Sequence, residues 1–136
     1  MKVLTKNTDY AVRALLALGG CKEGYISARD ISRQHDIPYQ YLRKVLQKLI
    51  SAGYVESKEG SGGGFKILAK PAKIKVSDII EVFQGQIELS ECMFRKKICA
   101  NREKCVLRKN IKRIEKKVIE EFSKISIGSL LKDIKT

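Results

Sequence analysis

The sequence has no tryptophan, one histidine and two prolines among 136 residues. No apolar run approaches the roughly 18 to 20 residues that a membrane span needs. The stretch MKVLTKNTDYAVRALLALGG interrupts its hydrophobic residues with Asp9 and Arg13, unlike the core of a signal peptide. A soluble cytoplasmic protein without a membrane partner is therefore expected. Acids are scarce as well: 15 Asp and Glu face 28 Lys and Arg, a net charge of +13. That surplus attracts polyanions, nucleic acid first and an anionic membrane surface second, and says nothing about base sequence. No acid pair, nucleophile and base set or substrate-sized second domain is visible, so an enzyme is not expected. The length and a hydrophobic content of 43% suit one compact unit with an appendage.

What is present is helical periodicity broken at regular points. From Thr8, the apolar residues Ala11, Leu15 and Leu18 recur at helical spacing, with Val12 and Leu16 beside them, and Gly19 and Gly20 supply a stop. In YISARDISRQHDI, Ser27 is placed to cap a short helix, and Asp30 favours the same positive end. Pro38 then opens PYQYLRKVLQKLISAGY at a first helical position, with Tyr41, Leu42, Val45, Leu46, Leu49 and Ile50 as an apolar stripe and Gly53 as the stop. Gln40, Arg43, Lys44 and Lys48 lie opposite that stripe. Two short helices joined by a tight turn, the second presenting a polar and basic face, form the pattern of a helix-turn-helix.

The next segment, YVESKEGSGGGFKILA, holds two strand-like runs, Tyr54 to Lys58 and Phe65 to Leu68, around a glycine-rich tip suited to a hairpin. A hairpin directly after the second helix is a wing. A phosphate-cradling loop is the competing reading of GSGGG, but no Lys-Ser or Lys-Thr pair follows and no helix opens after it. Beyond Pro71, VSDIIEVFQG predicts a brief helix with Ser77 as cap and Gly85 as stop. From about Val106 a long helix carries Leu107, Ile111, Ile114, Val118, Phe122 and Ile125 on a narrow apolar stripe, the pattern of a two-helix dimer seam or of packing on its own domain. SISIGSLLKDI predicts one last short helix.

Between these helices, ECMFRKKICANREKCVLRKN interrupts all periodicity and gathers three of the four cysteines, Cys92, Cys99 and Cys105. A reducing compartment argues against a disulfide framework, so clustered thiols read as metal ligands or a redox site. The spacings do not match the paired knuckles of structural zinc, and no local fourth ligand accompanies the set. Iron–sulfur clusters tolerate irregular thiolate spacing and a non-cysteine ligand. Residues 95–117 carry eleven Lys or Arg against two Glu, a cationic setting that favours thiolates and an anionic cluster, although such charges also suit phosphate contact. Cys21, at the end of the first helix, reads as a small core residue.

Taken together, LTKNTDYAVRAL, ISARDIS, IPYQYLRKVLQKL, AGYVESKEGSGGGF, the three cysteines and ISIGSLL resemble, nearly end to end, the bacterial winged-helix iron–sulfur transcription regulators of the IscR and NsrR type. The resemblance implies a mostly α fold with a small β-hairpin wing, acting as a homodimer on double-stranded promoter DNA. Residues 1–85 would form the winged helix-turn-helix, 86–105 the cysteine loop, and 106–136 the dimerisation helix and a closing short helix. It implies a cluster on Cys92, Cys99 and Cys105, 2Fe–2S in preference to 4Fe–4S, that reports iron–sulfur status, redox poise or nitric oxide.

The histidine that completes the ligand set in IscR-like members is replaced by Arg108, whose guanidinium stays protonated and cannot ligate. In NsrR-like members an aspartate from the partner serves, and Asp9 falls on that position, although an acid there also suits the helix dipole. Gln40 and Arg43 fall where the family reads base edges, with Tyr39, Tyr41, Lys44 and Lys48 beside them. IscR-like members carry an acid at the place of Arg43, so their operator sequence does not transfer. In the wing, Lys58 is followed by Glu59 where relatives insert an arginine, so the wing is expected to contribute less or to use Lys58 and Ser61 instead. His35 is expected on the surface. The rival readings are a regulator of this fold using its thiols through zinc or disulfide exchange, and a small basic RNA-binding protein.

Overall fold

The computed structural model of the chain describes residues 3–21, 24–89 and 105–135. Its elements follow the order α1 (Lys6–Gly19), α2 (Ala28–His35), α3 (Tyr39–Ser51), β1 (Val55–Lys58), β2 (Gly64–Ile67), a 3-10 turn (Pro71–Lys73), α4 (Val76–Gln84), α5 (Val106–Ser123) and α6 (Ile127–Lys135). This is the expected mostly α arrangement with a small hairpin.

Three helix starts differ from the sequence reading, each for a local reason. α1 begins at Lys6 because the Thr5 hydroxyl accepts a hydrogen bond from the Thr8 N–H at 3.4 Å and caps the helix there. Pro38 flanks α3 instead of occupying its first turn. Ser77, expected as the cap of α4, lies inside that helix, which starts at Val76 after an extended Lys75.

The core forms where the apolar faces converge. α1 contributes Ala11, Ala14, Leu15 and Leu18, α2 Ile31, and α3 Leu42, Val45, Leu46 and Leu49, while Val55, Ile74, Ile79 and Ile127 close the remaining sides. Each fully buried aliphatic side chain of this size contributes about 1.5–3 kcal/mol relative to exposure. Tyr41, assigned above to the α3 stripe, is instead 53% exposed, because the core is already filled by Leu42 and Val45 on the adjoining face.

The turn between α2 and α3 is tight. Asp36 takes a left-handed conformation with φ of 51°, and the Ile37 N–H donates to the Ser32 carbonyl at 3.1 Å. Ile37 is thereby driven into the core. Aspartate is among the few residues with a side chain that enter this backbone region routinely.

β1 and β2 pair antiparallel, with Val55 opposite Ile67, Glu56 opposite Lys66, Ser57 opposite Phe65 and Lys58 opposite Gly64. Ile26 adds a one-residue third strand: its N–H donates to the Phe65 carbonyl at 2.9 Å, and its own carbonyl accepts from Phe65 at 2.8 Å. Gly64 makes that approach possible, since a side chain there would strike the Ile26 carbonyl and would also have to adopt φ of 143°. The wing is therefore fastened to the segment that leads into α2.

α6 packs back onto α1 and the 3-10 turn. The Ile127 N–H donates to the Ile74 carbonyl at 2.9 Å, and the Val76 N–H to the Ile125 carbonyl at 2.8 Å. Ser126 and Ser129 exchange backbone-to-hydroxyl hydrogen bonds, both 3.0 Å, in a reciprocal cap. α5 packs on α4 along one side, where Ile80, Ile87, Glu115 and Ile119 line the cleft between them. On its other side Ile114, Val118, Phe122 and Ile125 line an open apolar groove.

Candidate nucleic-acid interface and thiol site

The residues expected at DNA share one property, solvent exposure. Tyr39, Gln40, Tyr41, Arg43, Lys44 and Lys48 on α3 and Lys58 and Ser61 in the wing are all exposed, while the opposite face of α3 is buried. The Tyr41 ring lies 6.3 Å from that of the buried Tyr10, at an interplanar angle of 35°. Lys48 sits over the Phe83 ring of α4 at 5.3 Å. Asn7, Tyr41, Lys44, Lys48 and Phe83 line a small concavity between the start of α1 and α3.

Tyrosines organise much of this surface. Tyr39 receives two guanidiniums, Arg29 at 5.6 Å from its ring centroid and Arg43 at 6.0 Å. Tyr25, in the segment before α2, receives two ammoniums from the wing, Lys58 at 5.6 Å and Lys66 at 5.9 Å from its ring centroid. The Tyr25 hydroxyl donates to Glu56 at 2.9 Å, and this carboxylate partner, followed by burial, raises the phenol above its ordinary range. Arg29, Tyr25 and Lys66 were not singled out from sequence. Lys66 was legible, because in the alternation Phe65, Lys66, Ile67 it must face away from the core.

The thiol site is only partly within the described residues. Cys92 and Cys99 lie outside them; Cys105 is the flanking residue at the start of α5, half-buried, and its Sγ accepts a hydrogen bond from the Arg108 N–H at 3.4 Å. A backbone donor and the positive end of an 18-residue helix thus face the sulfur, which suits a thiolate ligand. Among the described residues no three His, Cys, Asp or Glu side chains come together to hold a metal. Asp9 is half-exposed in the first turn of α1, where its Oδ2 pairs with Arg13 at 3.0 Å. Arg13 also donates to the His35 carbonyl at 3.3 Å.

His35 is not the surface residue expected. It is half-buried and held below its ordinary pKa of 6.5 by burial first and by the Arg13 charge second. Cys21 is half-buried rather than part of the core, and lines with His35, Leu16 and Leu131 a cleft between α1, α2 and α6.

Two further residues frame the thiol segment, and neither was anticipated. Glu115 is buried on α5, accepts a hydrogen bond from the Leu89 N–H at 2.7 Å and pairs with Lys112 at 3.2 Å. Gln84, in the last turn of α4, accepts from Thr8 Oγ1 at 2.6 Å and from the Thr5 N–H at 3.0 Å, and donates to the Val3 carbonyl at 2.9 Å. The first clamps the approach to the thiol segment onto α5, and the second ties that approach to α1. An acid at a position flanked by Ile114 and Lys116 on an amphipathic helix reads as solvated, which is why Glu115 escaped notice.

Among the described residues no helix is long and apolar enough to cross a membrane. Over 131 residues the chain is 30% identical to the HTH-type transcriptional regulator IscR of Aliivibrio salmonicida, covering 96% of this chain and 77% of that one. It is 31% identical over 105 residues to the HTH-type transcriptional regulator NsrR of Geobacillus kaustophilus, covering 76% and 68%. The solved structure of T. potens IscR superimposes with a TM-score of 0.78 at 26% identity, over 98% of this chain and 88% of that one. The proteins it matches in this way are regulators, not enzymes. The profile of the Rrf2 family, described as iron-dependent transcriptional regulators, matches residues 4–133, and with the winged helix and exposed basic α3 described above the chain belongs to that family.

Proposed function

We propose that the chain works as a cytoplasmic homodimer that binds promoter DNA and reports iron–sulfur status, redox poise or nitric oxide through a cluster. Cys92, Cys99 and Cys105 would hold the cluster, with the partner subunit's Asp9 as fourth ligand. The observation that carries this reading is the placement of Cys105 at the start of α5, its sulfur facing a backbone N–H, at the junction of the thiol segment with an amphipathic helix. The donor set fits: thiolates suit such a cluster, a carboxylate is an admissible replacement for one of them, and Arg108 cannot compete. When bound, the cluster supplies a centre that reacts with oxidants and nitric oxide.

The chain's own residues supply the rest. The open groove of Ile114, Val118, Phe122 and Ile125 suits a second copy of α5. Dimer geometry sets the separation of two α3 helices, which must enter successive major grooves about 34 Å apart. Gln84 and Glu115 connect the approach to the thiol segment to α1 and α5, so a cluster held by that segment would bias both the α1 side and the dimer seam. On DNA, Gln40 and Arg43 have the chemistry to read base edges, while Tyr39, Tyr41, Lys44, Lys48, Lys58 and Ser61 suit phosphates.

The test is operator affinity of anaerobically purified, cluster-loaded protein against the cluster-free form at matched salt. A difference supports sensing, and equal affinities defeat it. Iron content of Cys92→Ala, Cys99→Ala, Cys105→Ala and Asp9→Ala proteins tests the ligands; retained iron in Asp9→Ala removes that residue from the set. Colourless protein with zinc, or with thiols that switch by disulfide exchange, would transfer the sensing role to the thiols themselves. Preference for structured RNA over duplex DNA would replace the whole reading.

A further inference from the structure

Arg29 stands at the second position of α2, in the turn where the helix dipole disfavours a cation. Across the helix-turn-helix, Arg43 approaches the same Tyr39 ring from α3, so two guanidiniums lie 5.6 and 6.0 Å from one ring centroid. Both arginines are exposed, and among the described residues neither has a carboxylate within ion-pair distance. Two like charges held together at the positive end of a helix repel one another. An anion beside Arg29 offsets that repulsion and gains charge-assisted hydrogen bonds from its fork, leaving the fork of Arg43 for a base edge.

We propose that Arg29 is a DNA-backbone contact. It clamps one phosphate beside the groove that α3 enters, and Tyr39 is the positioning residue that holds it next to Arg43. The first helix of a helix-turn-helix crosses the backbone while the second enters the groove, which places the start of α2 at the strand. Stacking on a planar ring suits arginine better than lysine, so the site depends on the guanidinium as well as on its charge. This inference rests on the proposed DNA reading of α3.

The experiment uses full-length, anaerobically purified protein and a duplex that the wild type selects from a random pool. Affinity is measured across a salt series on that duplex and on a scrambled one, for wild type, Arg29→Ala, Arg29→Lys and Tyr39→Leu. Arg29→Ala is expected to weaken both duplexes by the same factor and to lower the slope of log affinity against log salt by about 1 per bound protomer. Its melting temperature should equal or exceed that of the wild type, since an unfavourable cation leaves the helix start. Arg29→Lys should keep the slope but bind less tightly, and Tyr39→Leu should lose part of the same slope. Wild-type slope and affinity in Arg29→Ala overturn the proposal. So does a loss confined to the selected duplex, which would make Arg29 a base reader. A wild type that selects no duplex overturns the DNA reading itself, and the clamp with it.

Discussion

The Thr8 hydroxyl donates to Gln84 Oε1 at 2.6 Å, joining the first turn of α1 to the last turn of α4 across 76 positions of sequence. Thr8 is fully buried, so its hydroxyl has no water to turn to. Gln84→Ala removes this acceptor, leaving the Thr8 hydroxyl with Thr5 Oγ1 at 3.2 Å and the Thr5 N–H to solvent, and is expected to destabilise the protein by about 0.5–1.5 kcal/mol. Thr8→Val keeps the shape and removes the donor. Because the two changes delete one shared bond, the double variant should lose less than the sum of the singles in urea unfolding. Strict additivity would mean that the bond carries no coupling.

Glu115 makes a second such connection, from α5 to the Leu89 N–H at 2.7 Å. Glu115→Ala removes the acceptor and is expected to cost about 1–3 kcal/mol, whereas Glu115→Gln keeps a carbonyl for Leu89 and should cost much less. Denaturant midpoints of the two variants decide this. If alanine and glutamine are equally harmful, the pairing with Lys112 outweighs the bond to Leu89.

These two clamps explain where the sequence was legible. Periodicity finds helices because burial of Leu42, Val45, Leu46 and Leu49 needs residues on one face, and together with capping residues such as Ser27 it found the six helices of the described residues. The wing was readable from its glycines for an equally local reason, as Gly64 shows. Contacts between residues far apart in sequence leave no local mark. Gln84 and Glu115 look like ordinary polar residues of amphipathic helices until α1 and Leu89 are placed beside them. Tyr25 was hidden in a loop preceding the Ser27 cap, and only the pairing of Ile26 with Phe65 brings its ring under Lys58 and Lys66. Cys92 and Cys99 stand as sequence expectations, outside the described residues.

His35 predicts a pH dependence. Its folded-state pKa lies below 6.5, lowered chiefly by burial, so the unfolded chain takes up the proton first as pH falls. Stability linked to this group is present above about 6.5 and is lost as pH drops through the depressed value. Melting temperature should therefore decline on moving from neutral into mildly acidic buffer, before the carboxylates titrate. His35→Gln should flatten that part of the profile. An unchanged profile in the variant would assign the decline to other groups.

Gln40 and Arg43 project from α3 beside Lys44 and Lys48, and Lys58 projects from the wing, yet the two sets should fail differently. Gln40→Ala or Arg43→Ala removes a bidentate partner for a base edge, and should cost about 1–3 kcal/mol on the selected duplex while sparing a scrambled one. Arg43→Lys should not restore the preference, because an ammonium lacks the planar fork. Lys58→Ala removes a phosphate partner and should weaken both duplexes alike, with a salt slope reduced by about 1 per bound protomer. Tyr25→Leu leaves the charge of Lys58 and Lys66 intact but removes the ring that holds them, so it should weaken binding with little change in slope. The contrast is measurable in one titration series: specificity changes with Gln40 and Arg43, salt dependence with Lys58. If Lys58→Ala altered base preference while Gln40→Ala did not, the wing and not α3 would be the reading element, and the roles given to the two surfaces would have to be exchanged.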